Sequence, residues 1–231
     1  MPPLPAAVLW DMDGTLIDSE PYWMAAETEL VESHGGTWTE EQALQMVGNS
    51  LPTSAKILQQ AGVDLTEAAI IDFLLERVVA QVKAHTPWLA GARELLSALV
   101  AAQVPCALVT ASYRQFAEIV VERSGGALQV VVTGDEVTHG KPHPEPYLTA
   151  AARLGVPAER CVAIEDSDTG IASAMAAGAR VLGVESHVPL PASPLLSTAS
   201  SLARVDLEAL SRIAAGEVLH LASGASTKVQ A

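Results

Sequence analysis

Two pairs of acids carry the strongest chemical signal in this chain. The first, Asp11-Met12-Asp13-Gly14-Thr15, closes an apolar run at residues 6–10. Carboxylates at i and i+2 on an extended segment face the same way. An apolar strand running straight into such a pair is costly unless something cationic meets it. A solvated turn with a helix start is the plainer reading of a bare Asp-x-Asp, but Gly14 and the following Thr-Leu-Ile-Asp-Ser-Glu favour a built site. The second pair, Glu165-Asp166-Ser167-Asp168 with Gly170 behind it, closes another apolar run at residues 161–164. Asp168 itself reads as the cap of the next helix. If the two strand ends lie side by side, Asp11, Asp13, Asp18, Glu20, Glu165, Asp166 and Asp168 crowd one mouth. So many acids require raised pKa values or a metal. Oxygen-only ligands of this kind suit Mg²⁺.

Complementary groups follow two further apolar runs. Thr110-Ala111-Ser112 comes after residues 105–109 and ahead of a helical pattern. Hydroxyls and amides there can hold phosphate oxygens at a helix N-terminus, and N-capping by Ser112 fits the sequence equally well. After residues 128–132 comes His139-Gly140-Lys141-Pro142-His143-Pro144, which sets a lysine between Gly and Pro in a loop expected to face the same mouth. Residues 134–141 are not a Walker A loop, because the glycine spacing is one residue too long and Pro142 stands where Ser or Thr is needed. His139 and His143 suggest zinc, but no matching Cys or His cluster accompanies them.

The elements that must hold these groups repeat as strand, turn and helix. Strand-length apolar runs lie at 6–10, 105–109, 128–132, 161–164 and 180–184, without the alternation of a half-exposed sheet. Helical patterns occupy 92–103, 114–124, 144–154 and 169–177, several ending at a glycine. The expected fold is therefore α/β, a Rossmann-like doubly wound parallel sheet. Residues 18–87 break the rhythm with an all-helical pattern. Ser19 with Pro21 starts one helix, Thr39 with Gln42 fits a capping box, and Ile70, Leu74, Val78 and Val82 form an apolar stripe at i, i+4 spacing. The expected organisation is a core of residues 1–17 and 88–231 with an inserted helical cap of residues 18–87. Residues 185–201, rich in Pro and Ser, read as a surface loop, 206–215 as a last helix, and 223 onward as a frayed end.

Composition narrows the function classes. With 49% hydrophobic and 17% charged residues among 231, the chain can bury a sizeable core. Its 27 acidic against 13 basic residues give a formal charge of −14, which disfavours nucleic acid and anionic membrane surfaces as partners. Residues 95–113 lack charge but contain Gln103 and Pro105, so they read as helix, turn and strand rather than a membrane span. Cys106 and Cys161 read as buried free thiols of a reducing compartment, and the expected location is cytoplasmic.

In order along the chain, Asp11-x-Asp13-Gly14-Thr15, Thr110/Ser112, Lys141-Pro142 and Glu165-Asp166 resemble the four motifs of the haloacid dehalogenase-like superfamily. The likeness spans residues 6 to about 184, and the helical insertion resembles the cap of its beta-phosphoglucomutase-like branch. The run DMDGTLIDSEPYW and the stretch KPHPEPY are most similar to hexitol and 2-deoxyglucose-6-phosphate phosphatases. The resemblance implies that Asp11 is the nucleophile and Asp13 the general acid and base. It also implies that Thr110, the Ala111 amide, Ser112 and Lys141 bind phosphate. Mg²⁺ would sit on Asp11, the Asp13 carbonyl and Asp166, with Glu165 acting through water. Candidate substrate contacts in the cap are Glu20, Trp23, Asn49 and Arg77.

The function so implied is a monomeric phosphatase acting on small phosphorylated sugars or polyols. A phosphomutase is the close alternative, although mutases of the branch typically carry a histidine where this chain has Trp23. A dehalogenase would need neither Asp13 nor Mg²⁺, and a catalytically silent phosphate-binding regulator is the remote alternative.

Overall fold

The computed structural model describes residues 2–222. The residues from 223 onward, read above as a frayed end, lie outside them. Seven strands form one parallel sheet among the described residues: β1 (Ala7–Trp10), β2 (Cys106–Val109), β3 (Val130–Val132), β4 (Cys161–Glu165), β5 (Arg180–Val184), β6 (Leu196–Ala199) and β7 (His220–Leu221). Their order is β3-β2-β1-β4-β5-β6-β7. The expected α/β class and doubly wound parallel sheet are therefore present. The chain builds outward from β1 to one edge, then returns to β4 on its other side. That reversal beside β1 is where such sheets open a crevice for ligands.

Both sheet faces are covered. On β1, Val8 and Trp10 join one buried cluster while Ala7 and Leu9 join another on the opposite face. This two-sided burial is why the runs do not alternate. Helices α1 (Glu20–Ser33), α2 (Glu40–Leu44), α3 (Leu51–Gln60) and α4 (Glu67–Ala84) fill the segment between β1 and β2. The Thr39–Gln42 capping box forms at α2 with both of its hydrogen bonds. The α4 stripe, Ile70, Leu74, Val78 and Val82, is fully buried and belongs to the same cluster as Val8 and Trp10. The helical segment is joined at two adjacent crossings: the Asp18 amide donates to the Pro87 carbonyl at 2.8 Å and the Leu89 amide to the Leu16 carbonyl at 3.0 Å. Beyond them come α5 (Ala92–Ala101), α6 (Arg114–Arg123), α7 (Glu145–Leu154), α8 (Asp168–Ala176) and α9 (Leu207–Ala214).

Three local expectations need correction. Residues 185–201 are not wholly a surface loop, because Leu196–Ala199 is β6, paired in parallel with β5. Its sequence, LSTA, is half polar and hidden behind three prolines, so it lacks the apolar run that marked the other strands. Ser167, not Asp168, caps α8: its hydroxyl accepts from the Gly170 amide, and Asp168 is the exposed first helical residue. Ser19 occupies the N-cap position of α1 but makes no capping bond. Its hydroxyl is used elsewhere, as described below.

Cys106 and Cys161 are buried free thiols, as expected. No helix among the described residues is long and apolar enough to cross a membrane.

Candidate active site

Sheet register sets the floor of the site. Trp10 pairs with Leu108 on one side and Ile164 on the other, so the residues that follow each strand emerge together. The Asp11 amide donates to the Ile164 carbonyl at 3.0 Å, continuing the ladder one step past β1. Asp11 and Glu165 are thereby level at the carboxyl edge of the sheet, and Thr110 lies one residue past that level beyond β2. Lys141 reaches in from the loop after β3. Its ammonium lies 2.6 Å from Asp11 Oδ1 and 2.5 Å from Glu165 Oε1, with only 4% of the side chain exposed.

Glu165 is held from every direction. Its Oε1 also accepts from the Tyr147 hydroxyl at 2.6 Å, and its Oε2 accepts from the Ser167 hydroxyl at 3.1 Å and the Asp166 amide at 3.2 Å. A Cβ on Gly170 would lie 1.9 Å from Oε1 of this carboxylate, so glycine alone leaves it room. Gly14 plays the same part for the neighbouring acid. Its φ of +79° is a left-handed conformation, and a Cβ there would lie 2.0 Å from Asp166 Oδ2.

The electrostatics of the floor are incomplete without a further cation. Burial pushes Asp11 up to about 7, with Glu165 and Asp13 adding to the shift and Lys141 opposing it. Burial likewise holds Asp166 well above the usual carboxylate range, with Asp11 and Glu165 adding to the effect. Lys141 is the converse case: burial alone would lower it, but Asp11 and Glu165 outweigh that and hold it charged. Asp11 Oδ2 and Asp166 Oδ2 are buried without a hydrogen-bond partner. Asp11, Glu165 and Asp166 each bring an oxygen within 4.8 Å of the others. Orphaned hard oxygens on two buried acids fit a divalent cation of the Mg²⁺ type.

Asp13 stands at the junction of floor and helical segment. Its Oδ2 accepts from the hydroxyls of Ser112 at 2.8 Å and Thr110 at 3.3 Å. Its Oδ1 accepts from Ser19 Oγ at 2.5 Å and Trp23 Nε1 at 3.2 Å. Ser112 therefore points at Asp13, and the cap position of α6 belongs to Tyr113. The Ala111 amide donates to nothing among the described residues.

Above this floor lies a narrow cleft of about 60 Å³ that opens in part to solvent. Asp11, Asp13, Thr110, Ala111, Ser112, Lys141 and Asp166 line its lower part, and Glu20, Trp23 and Asn49 its upper part. Three residues expected nearby are elsewhere. Arg77 is turned outward, its guanidinium paired with Glu29 at 3.0 Å. Asp18 is paired with His187 at 2.7 Å, and exposed Asp168 does not line the cleft. His139 and His143 do meet a third possible ligand, Glu145. That carboxylate already accepts the Thr138 amide at 2.8 Å and the His139 amide at 3.0 Å, an ordinary loop brace.

The sequence alone did not single out Tyr147 or Glu27. Tyr147 lies inside the KPHPEPY stretch, six residues after Lys141, and its fully buried side chain is the available signal once that loop is placed. Glu27, from α1, lines the upper cleft. Nothing in its helical spacing marks it apart from a solvated acid.

The haloacid dehalogenase-like hydrolase family model matches residues 8–184. Hexitol phosphatase A of Escherichia coli (strain K12) is 34% identical over 79% of this chain and 84% of its own. A phosphorylated carbohydrates phosphatase of Thermotoga maritima is 32% identical over 77% and 84%. Among solved structures, a CbbY variant from Rhodobacter sphaeroides in complex with xylulose-(1,5)bisphosphate superposes with a TM-score of 0.76 at 26% identity, over 87% of this chain and 96% of that one. With the motif residues on one sheet edge and the family model covering most of the chain, the protein belongs to the haloacid dehalogenase-like hydrolases and is an enzyme of phosphate-ester hydrolysis.

Proposed function

We propose that the chain is a Mg²⁺-dependent phosphatase of small sugar or polyol phosphates, working through an aspartyl-phosphate. The observation that carries this reading is the buried floor of Asp11, Lys141 and Asp166, in which a lysine touches the would-be nucleophile and two acid oxygens lack partners. The expected division into a core (1–17 and 88–231) and a cap (18–87) belongs to the same proposal.

Asp11 attacks phosphorus and the bond to the ester oxygen breaks, leaving the phosphoryl group on its carboxylate. Lys141, Thr110 and the Ala111 amide hold the phosphoryl oxygens, with Ser112 beside them. Asp13 gives its proton to the departing alcohol and later takes one from the water that hydrolyses the acyl phosphate. Hydroxyls can donate or accept. Ser19, Thr110 and Ser112 can therefore serve Asp13 in both of its protonation states. Asp11, Asp166 and the Asp13 carbonyl would hold Mg²⁺, with Glu165, whose oxygens are already engaged, reaching it only through water. Bound there, Mg²⁺ would offset the charge of a phosphate approaching an anionic nucleophile.

The test is phosphate release from p-nitrophenyl phosphate, with EDTA and then with Mg²⁺ restored. Turnover should vanish in chelator and return with the metal. Undiminished activity in EDTA overturns the metal assignment, and no release from any phosphomonoester overturns the phosphatase.

A further inference from the structure

The upper wall of the cleft contains acids and no base. Glu20 and Glu27 project from α1 into it, and they are 7% and 4% exposed. The Glu20 carboxyl makes no hydrogen bond among the described residues. Glu27 has one partner, Trp38 Nε1, which donates to Oε2 at 3.3 Å. Around them the wall is apolar or neutral: Trp23, Asn49, Leu51 and Ser54. Among the described residues, Lys141 is the sole cation lining the cleft, and it sits in the floor between Asp11 and Glu165. Arg77, the cap cation expected to reach substrate, is spent on Glu29.

Such a wall discriminates by charge. A sugar or polyol hydroxyl can pair with either carboxyl in both of its protonation states, accepting from the neutral acid or donating a charge-assisted hydrogen bond to the carboxylate. A second phosphate or a carboxylate on the same substrate would leave water against a wall that offers no cation to pair with it, and once Glu20 and Glu27 ionise, like charges brought together across a desolvated contact add to that cost. Resting on the phosphatase reading above, we infer that Glu20 and Glu27 make this enzyme select monophosphates whose remainder is uncharged and polyhydroxylated, and reject substrates bearing a second anionic group. A bisphosphate, such as the one held by the R. sphaeroides neighbour, is thus a ligand this cleft excludes. A bisphosphate-primed mutase cycle is excluded with it.

The experiment compares kcat/KM within matched pairs at pH 9, where Glu20 and Glu27, each pushed up to about 8 by burial, are ionised. Sorbitol 6-phosphate and 6-phosphogluconate differ by a terminal alcohol against a carboxylate, and glucose 6-phosphate and glucose 1,6-bisphosphate by a second phosphate. The charged member of each pair should be poorer by on the order of 100-fold. Glu20→Gln and Glu27→Gln should each narrow that ratio by roughly 5- to 10-fold, and Asn49→Arg should raise turnover of the charged members. Such shifts in a ratio are not produced by a merely structural role. If the wild-type enzyme takes both members of a pair within about threefold, the inference fails whatever the variants do. Cleavage of p-nitrophenyl phosphate with no preference for the neutral members leaves the phosphatase reading standing and sinks this one; no cleavage of any ester sinks both.

Discussion

The floor and the upper wall of the cleft are both acidic, yet they are built on opposite terms. In the floor, the acids come from strand ends fixed by register, and Lys141 is locked against two of them. In the wall, Glu20 and Glu27 come from one face of α1, meet no cation, and have a single hydrogen bond between them. Fixed charge of both signs suits a site that must handle a phosphoryl group. Unpartnered acids on a helix suit a surface that reads hydroxyls. If the floor carries the chemistry and the wall the selection, as proposed above, substitutions should separate the two.

The largest effect belongs to the floor. Asp11→Asn should fold and lose turnover by at least ~10³-fold, since the amide cannot attack phosphorus. Retained phosphate release in a steady-state assay would show that the nucleophile lies elsewhere.

Next is Gly170→Ala, which places a methyl group on the carboxylate that anchors Lys141. A turnover loss of roughly 10- to 100-fold with a stability loss of about 1–3 kcal/mol is expected, read by kinetics and denaturant unfolding. Unchanged kinetics would mean that Lys141 does not depend on Glu165 for its position.

The wall gives a smaller, pH-dependent effect. Burial raises Glu27 to about 8, against an ordinary value of 4.5, with the Trp38 hydrogen bond opposing. The folded state thus favours the neutral acid. Its contribution is complete below pH 4.5, declines as pH rises and the unfolded chain ionises, and is gone above about 8. Glu27→Gln removes this dependence. Its stability advantage over the wild type should widen between pH 5 and pH 8 to as much as roughly 4 kcal/mol and then level off. A constant difference across that range would place the Glu27 carboxyl in water.

The smallest effect is outside both regions. Arg77→Ala should leave kcat/KM for sugar phosphates unchanged and alter thermal stability little, because an exposed ion pair contributes little. A raised KM would bring Arg77 back to the substrate.

The same contrast explains what could be read in the sequence. Asp11, Asp13, Lys141, Glu165 and Asp166 each follow an apolar run, and a parallel sheet covered on both faces must bring such positions to one edge. The helical insertion was legible from the α4 stripe and the α2 capping box. Glu27 was not, because an acid in an amphipathic helix ordinarily faces water, and only packing against Trp38 and the cleft buries it. Arg77 offered the chemistry of a substrate contact, but helix phase turned it to Glu29. β6 was hidden because its burial comes from neighbouring strands rather than from its own residues.

The paired crossings at Leu16–Leu89 and Asp18–Pro87 have a consequence for Asp13. Ser19 and Trp23 lie beyond them on the helical side, while Thr110 and Ser112 stay with the sheet. A swing of the helices about those crossings would strip this carboxylate of half its donors and let in water at the same stroke. On the function proposed above, admission of substrate and readiness of the acid would then be geared to a single joint.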